Sequence, residues 1–146
     1  MKTNMRFRPA AGQSGVVLLE ALLAVFIFSI GILGLVGMLA ASVKNVSEAQ
    51  YRMEAAFLVD SLIAEIRVAD RSERTTTYAS PSGASFSAWK TRVTSGASSL
   101  PGAAISTNAP TVVFSGTGNR DLTITVKWQA KNDNTTRQYI AITALE

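Results

Sequence analysis

The chain reads as an α+β protein in which one long N-terminal helix carries a small antiparallel sheet on its C-terminal half. Two features lead there. No proline interrupts the run from Val16 to Asp70, which is wholly apolar at first and amphipathic later. After Pro110 the chain alternates apolar and polar residues in three short segments separated by Gly- and Asn-containing turns.

The helix begins with a membrane-length stretch. From Ala21 to Val43 there is no charged side chain. At about 1.5 Å rise per residue this gives a helix of roughly 35 Å, against a bilayer core of about 30 Å. A single carboxylate, Glu20, stands at its head. An ionised side chain at the edge of hydrocarbon costs roughly a few kcal/mol if drawn in, so its retention implies a use. Gly31, Gly34 and Gly37 follow at intervals of three. In a membrane helix small residues let another backbone approach, so these three are expected to mark a packing segment.

Beyond Lys44 the pattern becomes amphipathic. Val46, Ala49, Met53, Ala56, Val59, Ile63 and Ile66 recur at steps of three and four, a stripe expected to meet the sheet. Lys44, Glu48, Arg52, Asp60 and Arg67 lie opposite, as a solvated face. The rod should end near Asp70-Arg71-Ser72. From Arg71 to Pro110 the composition turns to Ser, Thr, Gly and Ala, a connecting region. Within it Phe86, Trp89 and Val93 share a helical face, with Ser85 as N-cap and Gly96 as terminator. Leu100-Pro101-Gly102 makes a turn. Strands are predicted at Thr111–Ser115, Asp121–Gln129 and Thr135–Ala144, with turns at Gly116–Asn119 and Lys131–Asn134. In the second strand Leu122, Ile124, Val126 and Trp128 share one face, and in the third Ile140 and Ile142 do. The apolar face should cover the helix stripe, and Phe86, Trp89 and Trp128 are expected in the head core.

Composition narrows the function. The chain has neither cysteine nor histidine, which removes disulfides, thiolate chemistry and the commonest general base and metal ligand. A nucleophile would need a Ser–Lys or carboxylate pair, and Lys90 near Ser87 is the nearest. A lysine beside serines in a loop is ordinarily solvated, so no enzyme, cofactor or metal site is expected. The pI of 9.8 comes from one end. Of 14 basic residues, Lys2, Arg6 and Arg8 precede Gly15 with no acid among them, leaving 11 against 10 acids. A head that close to neutral has little to offer phosphates, and no specific nucleic acid is expected.

A secretory signal has a shorter apolar core and a small-residue cleavage site beyond it. Here the core is too long, and Ala40-Ala41-Ser42 is a weak site. An uncut signal-anchor is one reading. The run Gly15-Val16-Val17-Leu18-Leu19-Glu20 resembles instead the class III signal of type IV prepilins. The resemblance implies that a prepilin peptidase cuts between Gly15 and Val16 and that Val16 is then N-methylated. Glu20 becomes the fifth residue of the mature chain, facing a neighbour's new amino terminus and setting register. The family usually has phenylalanine where this chain has Val16. The resulting division is a leader (1–15), a transmembrane and assembly helix (16–43), an amphipathic helix entering the head (44–70) and a small α+β head (71–146).

The run Leu18-Leu19-Glu20-Ala21-Leu22 leading to Ser29-Ile30-Gly31-Ile32-Leu33-Gly34-Leu35 is similar to the PilV group of minor pilins. So are the Trp89–Gly102 region and Val126-Lys127-Trp128. That resemblance implies a pilin-like fold and a structural or priming subunit of a type IV pilus. The chain would sit in the inner membrane, N-terminus cytoplasmic and head periplasmic, before reaching the pilus and cell surface. Implied partners are the peptidase and methylase, other minor and major pilins, the inner-membrane assembly machinery and membrane lipid. Many pilins carry a C-terminal disulfide loop, which this chain cannot form. A minor pseudopilin of a type II secretion system shares the N-terminal logic. A tip binding module, using residues 75–110 and Trp89 for adhesion or DNA uptake, is a third reading.

Overall fold

The structure is a computed structural model and describes residues 14–131 and 133–146. It has the expected pilin-like α+β layout. A helix α1 (Ser14–Val68) is followed by short helices α2 (Arg74–Tyr78) and α3 (Ala84–Ser95) and a 3₁₀ turn (Ser106–Asn108). Then come strands β1 (Thr111–Ser115), β2 (Asp121–Trp128) and β3 (Arg137–Ala144). The chain divides into two units, Met1–Lys44 and Asn45–Glu146. The basic residues Lys2, Arg6 and Arg8 of the expected leader, and Asn132 of the expected 131–134 turn, lie outside the described residues.

The described part of the first unit is helix alone. From Gly15 to Lys44 every residue is exposed. It is long and apolar enough to cross a membrane.

The second unit has a single core. The antiparallel sheet, in order β1-β2-β3, presents Leu122, Ile124, Val126 and Trp128 to α1 and α3. From α1 the core takes Ala55, Leu58, Val59, Leu62 and Ile66. The expected stripe was therefore rotated: Val59 and Ile66 are buried, but Val46, Ala49 and Met53 are exposed. Residues 55, 58, 62 and 66 also recur at steps of three and four. Two apolar stripes compete on this helix, and the sheet takes the one holding Leu58 and Leu62, whose burial removes more apolar surface from water.

The third strand required a second correction. Ile140 and Ile142 point away from the core, and Tyr139 and Ala141 pack against it. Register explains this, because directly opposed residues share a face. Ile140 opposes Thr125 and Ile142 opposes Thr123, whereas Tyr139 opposes Val126 and Ala141 opposes Ile124.

Local bonds set the element ends. Gln129 N–H donates to the Pro101 carbonyl at 2.8 Å, which stops β2 at Trp128. Thr135 N–H donates to Asp133 Oδ1 at 3.0 Å, so β3 starts two residues later than predicted. Gly102 has φ +69°, as a turn with proline before it requires. Helix α3 starts at Gly83, not Ser85: Gly83 caps it without a side-chain bond, and a Cβ there would strike the Thr77 carbonyl. Gly96 ends it as expected. Helix α2 and the 3₁₀ turn were not anticipated.

Helix α1 stops at Val68 because its last carbonyls are taken. The Arg74 guanidinium donates to the Arg67 carbonyl (3.0 Å), the Ala69 carbonyl (3.2 Å) and the Glu146 carbonyl (3.1 Å). A cation on orphan carbonyls at a helix C-terminus is favourable on both hydrogen-bond and dipole grounds. The next turn is closed by Asp70, which accepts from the Ser72 hydroxyl (2.7 Å) and N–H (2.9 Å). Those two bonds, the hydroxyl first, hold the Asp70 carboxyl below its usual pKa, with the Arg74 charge adding to them.

Candidate assembly surfaces

The residues singled out in the N-terminal stretch all lie on α1. Gly15 and Val16 lie at the start of its described part, helical and exposed. Glu20 is exposed one turn later. Gly31, Gly34 and Gly37 have nothing within 4 Å of where a Cβ would be, so the described chain supplies them no packing partner.

The second surface belongs to the head unit. Val46, Met53 and Phe57 stand out from the 45–68 segment of α1, the latter two 68% and 67% exposed. They are spaced at seven and four residues and so share a face. Their exposure means that the head does not account for this apolar face.

Behind that surface, the three aromatic residues expected in the core are buried. Trp89 donates its indole N–H to the Leu58 carbonyl at 2.8 Å, tying α3 to α1. Phe86 packs beside it with ring centroids 6.1 Å apart. Trp89 is fully buried, so it cannot contact a surface or ligand as the tip-binding reading required. Trp128 is buried, and its indole N–H has no partner among the described residues.

The pairing of Glu48 with Arg137 was not anticipated from periodicity or composition. Glu48, expected on the solvated face, lies with Oε2 2.7 Å from Arg137 Nε, an ion pair without hydrogen-bond alignment. Arg137 also donates to Asp133 Oδ2 at 2.9 Å. One arginine thus joins α1 to the loop before β3. Arg92 and Glu65 pair at 2.8 Å with both side chains substantially exposed, a contact of about 0–1 kcal/mol. Ser87 and Lys90 are both exposed on α3, and no hydrogen bond joins them. Among the described residues there is no cluster of His, Cys, Asp or Glu able to hold a metal ion.

These features define a class: an α+β head joined to one helix competent to cross a membrane. The chain matches no protein-family model, no curated protein and no solved structure.

Proposed function

We propose that this chain is a minor pilin of the PilV type, a structural or priming subunit trimmed after Gly15 and moved from the inner membrane into a filament. The observation that carries this reading is Glu20, a lone acid at the head of the uncharged run Ala21 to Val43, five residues beyond a glycine. Helix surface that is apolar all round loses little when lipid is exchanged for neighbouring helices, so leaving the bilayer costs little. The acid supplies direction to that exchange. In a low dielectric it is favourable only beside a cation, and the amine created at Val16 of an adjacent subunit is such a cation. A subunit one step out of register leaves both charges unpaired. Gly31, Gly34 and Gly37 admit close backbones, and the Val46, Met53 and Phe57 face extends the contact surface past Lys44.

The test is N-terminal mass analysis of the protein from sheared filaments and from membranes. The chain should begin at methylated Val16. Gly15→Leu should leave only the form beginning at Met1. Glu20→Ala should still be cut but be lost from filaments; normal assembly of that variant would remove the register role.

A further inference from the structure

Two buried side-chain atoms of the head have no hydrogen-bond partner among the described residues, and both belong to residues lining one cleft. One is the Trp128 indole N–H, a donor, and the other is Glu48 Oε2, an acceptor. The cleft is open, about 490 Å³ in volume, and is completed by Ala49, Arg52, Arg137 and Gln138. Register explains why these residues meet. Trp128 ends β2 directly opposite Arg137, so both side chains turn towards α1, where Glu48 Oε2 stands 2.7 Å from Arg137 Nε. Buried polar groups are nearly always hydrogen-bonded, because an unbonded one gives up its hydration for nothing. A donor and an acceptor left unbonded beside the same cleft point to a ligand that brings both. One water takes up about 30 Å³, so the cleft has room for a much larger group.

We propose that this cleft binds the amide group of a polypeptide. The amide carbonyl accepts from the Trp128 indole, and the amide N–H donates to Glu48 Oε2. An amide holds an acceptor and a donor rigidly side by side. It is also neutral, which suits the charges around it. Glu48 and Asp133 balance Arg137 and Arg52, so neither a carboxylate nor an ammonium meets an uncompensated opposite charge. An acetamido sugar carries the same group, but a sugar ring lies best on an exposed aromatic face, and Trp128 is only 2% exposed.

Access follows from the rim. Arg52 and Gln138 are exposed there, and neither side chain makes a hydrogen bond or an ion pair among the described residues. Entry past them breaks no contact. Within a polypeptide the amide has two sources, the side chain of Asn or Gln and the main chain, and both offer the same pair of atoms. The site uses residues of the head alone and stands whether or not the chain is cut after Gly15.

The experiment titrates the nitrogen-15-labelled full chain in detergent micelles and follows its two indole N–H signals by NMR. The Trp128 signal is the one lost in Trp128→Phe, or the one kept in Trp89→Phe. The amide probes are propionamide, for a side chain, and N-acetylalanine methylamide, for a main chain. Methyl propionate, which lacks the N–H, propionate and N-acetylglucosamine are the comparisons. The expected result is a saturable downfield shift of the Trp128 signal with either amide. Trp89, already bonded to the Leu58 carbonyl, should stay in place. Methyl propionate should bind about tenfold more weakly, the effect of losing one hydrogen bond to a charged group. In Glu48→Ala amide and ester should bind alike; if that variant does not fold, the comparison in the unaltered chain decides. The tighter of the two amides names the source. No saturable shift, which leaves the indole to water alone, overturns the proposal. So does an ester that binds as tightly as the amides, a propionate that binds more tightly, or an amide preference that survives Glu48→Ala. Tighter binding of N-acetylglucosamine overturns the choice of a polypeptide.

Discussion

Helix α1 is one element with two unlike halves. From Gly15 to Lys44 every residue is exposed. From Asn45 to Val68 it buries Ala55, Leu58, Val59, Leu62 and Ile66 and leaves Met53 and Phe57 outside. Both halves carry apolar surface, and among the described residues only the second buries any of it. Apolar content therefore measures a demand for partners without naming them. The first half is long and apolar enough to cross a membrane. In the second the head meets that demand on one face only.

Several substitutions would break or sharpen this contrast. Trp89→Ala removes a fully buried ring and its bond to Leu58, and should cost about 3–5 kcal/mol of head stability. Denaturant unfolding of the full chain in detergent, followed by Trp128 fluorescence, measures it. Leu33→Ala in the exposed half should leave that midpoint in place, and equal losses at both sites would refute the division. Glu48→Gln leaves Arg137 with Asp133 and the Thr135 carbonyl and should cost about 1–2 kcal/mol, between an exposed pair and a buried one. Phe57→Ser should move head stability by no more than about 0.5 kcal/mol. On the minor-pilin proposal it should nevertheless lower recovery in sheared filaments, because it removes apolar surface that the head does not use.

The smallest effect is acidic. Asp70 has a lowered pKa in the fold, so its contribution is complete above its unfolded value of about 3.9 and disappears as pH falls through the folded one. Asp70→Asn should flatten the acid limb of the unfolding midpoint slightly and change nothing near neutrality.

Element existence was largely legible from residues alone. An uninterrupted apolar run, the Phe86–Trp89–Val93 spacing and the alternation in Asp121–Trp128 each encode their element locally, because period and turn chemistry are properties of neighbouring residues. Facing was less legible. Ile140 and Ile142 alternate as well as any core strand, yet point outward, because the strand's face is chosen by its register against β2 and by the Asp133 turn. The helix stripe failed for a related reason: two stripes had the right period, and only the sheet could choose between them.

The amino-acid order alone determined where the chain is membrane-compatible, where its lone acid and its glycines fall, and which chemistry is closed to a protein without cysteine or histidine. Those are facts of composition and spacing that no folding can alter. The tertiary structure alone decided which helix face is spent on the core, that Trp89 is buried, and that Arg74 bonds the carbonyls at the end of α1. Each depends on residues far apart in sequence meeting in space, which periodicity along a single segment does not record.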